Sequence, residues 1–224
     1  MDKEEYLAQL SRAVDNFHQI YYNVTFDGKP VWNMTHWMGY LVHKCPFDLW
    51  IYQELFFGIK PDVIVESGVA RGGGIAYYAS LCAMMGKGEI IGIDIDLTDE
   101  ARRAAAQFPS ITLIEGSSTD PDVVDKVRRI VNGRNTIVIL DSDHKMEHVL
   151  KEMQLYKEFV PLGGFMIVED SNINGHPIYE GYGPGPYEAI EAFLKMNDDF
   201  AIDKYCEKFM MTFNPNGYLR RISE

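Results

Sequence analysis

The segment VESGVARGGG, residues 65–74, decides the fold of this chain. It ends one apolar run, turns through glycines, and leads into the longer apolar run GIAYYASLCAMM. Four further pairs of apolar strand and helical segment follow at short spacing, ending with PYEAIEAFLKM at 186–196. The central strands are apolar without alternation, which is typical of parallel strands buried on both faces. This order predicts a doubly wound, Rossmann-like α/β sheet over residues 61–224.

Both ends of the chain depart from this order. At the C-terminus, FAIDKY (200–205) and KFMMTFN (208–214) are predicted strands, and we expect them to form an antiparallel hairpin. Near the N-terminus, residues 2–22 and PFDLWIYQELFFGI (46–59) are predicted helices. We expect residues 1–60 to form a helical extension that covers the mouth of the site or builds an oligomer contact, and we expect a homo-oligomer.

Composition narrows the class of protein. The chain has 224 residues and a formal net charge of -12, which repels nucleic-acid phosphates, and it has no dense Lys/Arg run. No apolar stretch is long enough to predict a membrane span, and the acidic N-terminus lacks the features of a signal peptide. Cys45, Cys82 and Cys206 form no CxxC pair. We therefore expect a cytoplasmic protein with reduced thiols that binds neither nucleic acid nor membrane.

The glutamate ahead of the glycines indicates the ligand. The spacing Glu66-x-Gly68-x-Ala70-x-Gly72 differs from the GxGxxG of dinucleotide sites. It matches the acidic-x-Gly-x-Gly-x-Gly pattern of S-adenosylmethionine (SAM) methyltransferases, with alanine at the middle glycine. SAM carries a sulfonium and an ammonium group in place of a phosphate, so a carboxylate serves it directly or holds the turn. A tight turn without a ligand is the other interpretation.

Two further segments fit the same cofactor. The next strand ends at Asp94, where an acid is expected to take the ribose hydroxyls. The third strand ends in EGSSTD at 115–120, where the adenine edge would lie. Ser117 and Ser118 are candidate contacts there, although these residues are equally typical of a helix cap.

Acidic residues follow the fourth and fifth strands. LDSDH supplies Asp141 and Asp143, and VEDSNING supplies Glu169 and Asp170. Because these strand ends are neighbours in a doubly wound sheet, several carboxylates converge, which is costly unless a cation neutralises them. Oxygen ligands favour Mg²⁺, with Mn²⁺ or Ca²⁺ as alternatives. The other interpretation is a set of helix caps and solvated loop acids.

His144 lies at the same rim and is a candidate general base, or a helix-start histidine bonded to solvent or backbone. HKMEH, residues 144–148, also fits the HxxEH pattern of inverted zinc metallopeptidases. That pattern needs a long active-site helix and a distant acid. Here the segment opens a crossover helix directly after a strand, so we discount the zinc interpretation.

Several segments together carry a family resemblance. They are HKCPFDLWIYQELFFGIKPDVIVESGVARGGG (43–74), GIDID (92–96), LDSDH (140–144), GGFMIVEDSNINGHP (163–177) and GPGPYEAIEAF (183–193). The chain resembles the cephalosporin hydroxylase (CmcI-type) family of SAM-dependent O-methyltransferases, to which sugar O-methyltransferases of antibiotic pathways are related. The resemblance covers most of the chain from about residue 35.

The resemblance implies roles for named residues. Mg²⁺ would be held by Asp141, Glu169 and Asp170. His144 falls on the histidine that is the proposed base in the sugar methyltransferases. Asp143 would lie near the SAM amino group or beside the metal ligands.

These observations predict methyl transfer from SAM to a hydroxyl of a small molecule, a sugar or a natural-product intermediate, with SAM and Mg²⁺ as cofactors. The loop over residues 172–188 and the segment over residues 31–40 would cover the acceptor, or else pack in the core or at a subunit interface. Their aromatic residues are Tyr179, Tyr182, Tyr187, Trp32, Trp37 and Tyr40.

Two other functions compete with methyl transfer. One is a metal-dependent hydroxylase, but non-haem iron sites use two histidines and one carboxylate, and this cluster is nearly all carboxylate. The other is a methyltransferase-like domain that binds a partner without catalysis. The acids and His144 argue against that alternative.

Overall fold

The structure, a computed structural model, describes residues 2–223. The α-helices are α1 Lys3–Asn23, α2 Pro46–Ile59, α3 Gly73–Met85, α4 Asp99–Gln107, α5 Pro121–Val131, α6 Met146–Tyr156 and α7 Pro186–Met196. The strands are β1 Thr25–Phe26, β2 Lys29–Pro30, β3 His36–Trp37, β4 Tyr40–Leu41, β5 Val63–Ser67, β6 Glu89–Asp94, β7 Ile111–Glu115, β8 Thr136–Leu140, β9 Phe165–Val168, β10 Phe200–Ile202 and β11 Tyr218–Arg221.

The central sheet has seven strands in the order β10-β11-β9-β8-β5-β6-β7. Strands β5 to β9 run parallel, so the predicted doubly wound Rossmann-like fold is confirmed. Ser67 pairs with both Ile93 and Leu140, and Leu140 pairs with Val168. The carboxyl ends of four strands are therefore level at one edge. The order reverses between β5 and β8, where ligands bind in such sheets.

Alternate strand residues build a core on each face of the sheet. Val63 and Val65 pack with α5, α6 and α7. Ile64 between them packs with α2, α3 and α4 on the opposite face. Because both faces are buried, residues 63–65 are all apolar and show no polar alternation. Helices on both faces leave the carboxyl edge as the open side of the sheet.

The predicted C-terminal antiparallel pair is present, but its second strand lies further along the chain. β10 pairs antiparallel with β11, with Ile202 opposite Leu219. The prediction of a strand over 208–214 is wrong, because that segment forms turns and a loop.

A buried carboxylate explains this difference. Asp48 of α2 accepts hydrogen bonds from Thr212 Oγ1 at 2.5 Å, from the Phe213 backbone N–H at 2.8 Å and from Tyr218 Oη at 2.7 Å. The backbone donor of Phe213 is thus satisfied by a side chain, so the loop needs no strand partner there.

The N-terminal helices differ in their packing. α2 buries Ile51, Tyr52 and Phe56 in the main core. On α1 only His18 is buried among the residues that the structure describes. His18 Nε2 lies 2.9 Å from Asn172 Nδ2, and its ring stacks on Phe213. Among residues 2–223, no helix combines the length and the apolar character needed to cross a membrane.

Candidate active site

The turn after β5 requires its glycines. Gly68 has φ +84°, and a Cβ atom there would lie 1.9 Å from the backbone oxygen of Asp141. Gly72 has φ +79°, and a Cβ atom would lie 2.8 Å from Cα of Ala101. Ala70 adopts the left-handed region at φ 46°, and its N–H donates to Asp94 Oδ2 at 2.9 Å. Asp94 thus fixes the turn from the end of the neighbouring strand.

The next two glycines admit a segment from the N-terminal extension. A Cβ atom on Gly73 would lie 2.0 Å from the backbone oxygen of Leu41. A Cβ atom on Gly74 would lie 2.8 Å from Glu66 Oε1 and 3.0 Å from Lys44 Cε. Because Gly73 and Gly74 have no side chains, residues 41–44 can pack against the start of α3. This packing brings Lys44 beside Glu66.

Lys44 is a buried cation among the acids, and the sequence patterns did not single it out. Its side chain is 3% exposed, and its Nζ lies 3.1 Å from Glu66 Oε1, 2.7 Å from Asp141 Oδ2 and 2.5 Å from Glu169 Oε1. Burial by itself would lower the pKa of Lys44, but the surrounding carboxylates raise it well above its ordinary value. Part of the converging acidic charge is thus neutralised by the protein itself.

This contact answers what the glutamate before the glycines does. Glu66 is 1% exposed, and Oε1 also accepts a hydrogen bond from Tyr78 Oη at 2.9 Å. Burial raises the pKa of Glu66, while Lys44 opposes that rise. The carboxylate therefore binds Lys44 and Tyr78 of α3, the helix that follows the turn.

Asp141, His144 and Asp170 form a second cluster that is open to the cavity. One ligand atom of each lies within 4.8 Å of the others. Their side chains are 20%, 31% and 29% exposed, and His144 Nε2 lies 3.3 Å from Asp170 Oδ2. Burial raises the pKa of Asp170 to about 6, and His144 opposes the rise. This oxygen-rich donor set fits Mg²⁺.

The three predicted metal ligands are divided between the two clusters. Asp141 belongs to both, Asp170 belongs to the open one, and Glu169 belongs to the buried one with Lys44. Lys44 Nζ donates to Glu169 Oε1, and among the hydrogen bonds of the described residues none reaches Glu169 Oε2. Glu169 thus has one oxygen left for a metal ion while Lys44 holds the other.

One cavity of about 740 Å³ lies over these strand ends. Most of the predicted site residues line it, namely Glu66, Gly68, Asp94, Ser117, Ser118, Asp141, Asp143, His144 and Asp170. Among the described residues, Gly72 and Glu169 do not line it. Gly72 precedes α3 in the turn, and Glu169 is buried against Lys44, which itself lines the cavity.

Three of the predicted cofactor residues also make contacts within the protein, and two of these contacts hold local turns. Ser117 Oγ accepts from the Thr119 N–H at 3.3 Å, and Asp143 Oδ1 accepts from the Lys145 N–H at 3.1 Å. Ser118 Oγ lies 3.2 Å from His148 Nε2. The N-cap of α5 is Asp120, the last residue of the same segment, while Ser117 and Ser118 line the cavity.

Aromatic side chains line the remaining wall. They are Tyr22, Trp32, Tyr179, Tyr182 and Phe213. Tyr22 stacks on Trp32 with ring centroids 5.3 Å apart and meets Tyr179 edge-on at 5.2 Å. The sequence patterns missed Tyr22 and Phe213, because nothing local places α1 or the loop before β11 at the cavity.

The other three predicted aromatic residues pack elsewhere. Tyr187 Oη accepts from Asn216 Nδ2, Trp37 packs edge-on against Tyr77, and Tyr40 Oη donates to a glutamine side chain of α4. For these residues the alternative of structural packing is the correct one.

The sequence matches the family described as Rhamnosyl O-methyltransferase/CmcI over residues 29–222. The rhamnosyl O-methyltransferase of Mycobacterium tuberculosis (strain H37Rv) is 39% identical over 217 residues, which is 93% of this chain and 85% of the relative. That of Mycobacterium leprae (strain TN) is 37% identical over 211 residues, covering 92% of this chain and 90% of the relative.

Solved structures agree with the fold. An apo structure of CmcI has a TM-score of 0.69 and 25% identity, covering 90% of this chain and 82% of CmcI. CmcI with Mg and SAM has a TM-score of 0.69 and 24% identity, covering 91% and 84%. The predicted family resemblance is confirmed. The chain belongs to the rhamnosyl O-methyltransferase/CmcI family and is a SAM-dependent O-methyltransferase.

Proposed function

We propose that this chain methylates a hydroxyl group of a sugar or a sugar-bearing natural product, and that it uses Mg²⁺. The observation that carries the proposal is that the glycine turn, Asp94 and the open cluster of Asp141, His144 and Asp170 line one cavity. The relatives named rhamnosyl O-methyltransferase support a sugar as the acceptor.

Each member of the cluster has a separate role in this proposal. Asp141, Asp170 and the second carboxylate oxygen of Glu169 would hold Mg²⁺. When bound there, Mg²⁺ would supply positive charge that favours loss of the proton from the acceptor hydroxyl. His144 accepts that proton as the acceptor oxygen takes the methyl carbon from the sulfonium. Asp170, 3.3 Å from His144 Nε2, orients the imidazole.

The cofactor would lie across the ends of β5, β6 and β7. Asp94 would take the ribose hydroxyls, and Ser117 and Ser118 would face the adenine. Glu66 acts on the cofactor through the turn, because Lys44 and Tyr78 occupy its Oε1 and its Oε2 is buried. Asp143, at the rim beside the open cluster, would face the amino group of the methionine part.

Asp94→Ala should weaken binding of S-adenosylhomocysteine about 10-fold or more, because it removes a charged hydrogen-bond acceptor and loosens the turn that Asp94 fixes. Glu66→Ala should also weaken binding, through the turn. Calorimetric titration measures both effects. Asp96→Ala, an exposed aspartate outside the cavity, is the matched control and should bind as the parent does. Parental affinity in both the Asp94 and Glu66 variants would reject this placement of the cofactor.

The N-terminal extension, residues 1–60, would cover the acceptor half of the cavity. Gln19 Nε2 donates to the backbone oxygen of Pro177 at 3.2 Å, and Tyr22 contacts Tyr179. Both partners belong to the loop that was expected to lie over the acceptor. In this proposal the methyltransferase domain comprises residues 61–224. The protein assembles as a homo-oligomer.

A cytoplasmic location and a role in natural-product biosynthesis complete the proposal. The location is supported by the thiols of Cys45, Cys82 and Cys206, which are free and buried.

Activity should be lost on treatment with EDTA and restored by Mg²⁺, because clustered carboxylates need a cation beyond Lys44. The measurement is a mass gain of one methylene group on the acceptor. A chelator-insensitive enzyme would contradict the metal assignment. The open cluster holds one histidine rather than two, which disfavours the hydroxylase alternative. Dependence on ferrous iron and oxygen would reverse that conclusion.

The acceptor itself is best found by a screen. Rhamnosides and other deoxysugar glycosides are incubated with SAM, Mg²⁺ and the enzyme, and products are read by mass. Phenols serve as the contrasting class. Methylation of phenols alone would overturn the sugar proposal and leave the O-methyltransferase activity in place.

A further inference from the structure

A polar network lies at the end of the cavity between the loops after β7 and β8. His148 Nε2 lies 3.2 Å from Ser118 Oγ and 3.1 Å from Ser142 Oγ. Ser142 Oγ donates to Glu152 Oε1 at 2.7 Å. The network joins the loop proposed to meet adenine with the loop that follows Asp141. The methyl-transfer roles above use neither His148 nor Glu152.

Helix α6 supplies one face of this network at intervals of four residues, as helical geometry allows. Tyr156 Oη donates to the backbone oxygen of Ser118 at 2.9 Å and so fixes that loop. Glu152 is fully buried and lies 3.7 Å from His148 Nε2. No described residue bonds Glu152 Oε2. Burying a carboxylate with so few hydrogen-bond partners costs free energy. The nearest polar groups to Glu152 are the hydroxyl of Ser142 and the imidazole of His148, and these are the groups that it can orient.

The imidazole of His148 has one nitrogen to spare. Its contacts with Ser118, Ser142 and Glu152 all reach Nε2. No described residue bonds Nδ1, and this nitrogen is not buried. The side chain is 24% exposed and lines the cavity. The ring is therefore held from the protein side and leaves Nδ1 for a ligand.

We propose that His148 is a specificity-determining residue whose Nδ1 hydrogen-bonds the edge of the cofactor's adenine, with Glu152 and Ser142 as positioning residues for the ring. This inference rests on the proposed function, in which Asp94 takes the ribose and the base lies beyond it. A purine edge offers ring nitrogens that accept and a 6-amino group that donates. An imidazole fixed in one orientation can discriminate adenine from a base with a 6-oxo group. With the wrong base, a polar group of the ligand or of the imidazole would be left without a hydrogen bond.

The test compares S-adenosylhomocysteine with S-inosylhomocysteine, in which a 6-oxo group replaces the 6-amino group. Calorimetric titration of the parent should show tighter binding of the adenine ligand. His148→Leu should bind that ligand about 10-fold more weakly, the loss of one good hydrogen bond. Its preference for adenine over the inosyl analogue should fall close to one. Glu152→Gln should reduce the same preference, because the ring loses the charge that orients it.

His36→Leu is the matched control, since His36 is exposed and outside the cavity, and it should keep the parental preference. Thermal melting checks that each variant folds, and His148→Asn replaces His148→Leu if the latter does not. Parental affinity and parental preference in a folded His148 variant would overturn the inference. A parent that binds neither ligand would contradict the proposed function instead.

Discussion

His144→Ala should lower kcat by about 10²–10⁴, the usual contribution of general base catalysis, and leave affinity for S-adenosylhomocysteine nearly unchanged. His144 lines the cavity, and its Nε2 lies 3.3 Å from Asp170 Oδ2. Its side chain is thus at the cluster that meets the acceptor and away from Asp94 and the serines. The loss should therefore appear in turnover. Methyl-transfer kinetics at saturating SAM and Mg²⁺ give the rate, and calorimetry gives the affinity.

His176→Ala is the matched control for this variant. His176 is similarly exposed and pairs with Glu188 at 3.0 Å, but it does not line the cavity. Its turnover should stay near that of the parent. Asp141→Ala should also abolish activity, together with the response to added Mg²⁺, which separates the loss of a ligand from the loss of a base. Near-parental turnover in His144→Ala would reject the assignment of the base.

The parallel core was predictable because its signals are local. The strands from β5 to β9 are mostly apolar, and each strand from β5 to β8 is followed by a helix within about six residues. The strand over 208–214 was mispredicted because its structure depends on Asp48, which is far away in sequence. A carboxylate that satisfies the Phe213 N–H is invisible to any periodicity of the loop itself.

The site residues also fall into those with a local sequence signal and those without one. Glu66, Asp94 and the acids after β8 and β9 could be proposed from the sequence, because each lies at or just after the carboxyl end of a predicted strand. Lys44 follows no predicted strand or helix, and its partners come from three separate strands. Its local signal is weak, a lysine beside a histidine in the mainly apolar segment LVHKCP. Gly73 and Gly74 leave space for residues 41–44 and thus for Lys44. In the sequence, however, these two glycines are equally explained by a tight turn.

Lys44→Met should lower the free energy of unfolding by about 3–5 kcal/mol, the cost of removing one partner from a buried ion pair. The methionine fills a similar volume, so the loss reports charge rather than packing. Glu66 and Glu169, 1% and 4% exposed, would be left without a cation in the absence of metal. Urea unfolding with EDTA present, followed by circular dichroism, measures the change.

Lys204→Met provides the matched control, because Lys204 is 62% exposed and pairs only with Glu207 among the described residues. It should change stability by no more than about 0.5 kcal/mol.

The double variant Lys44→Met/Glu66→Gln should recover part of the lost stability, since it also removes a buried negative charge. Added Mg²⁺ should stabilise Lys44→Met more than it stabilises the parent, because the ion supplies charge that the lysine no longer provides. A Lys44→Met protein as stable as the parent in EDTA would show that the acids are neutralised in some other way, by taking up protons.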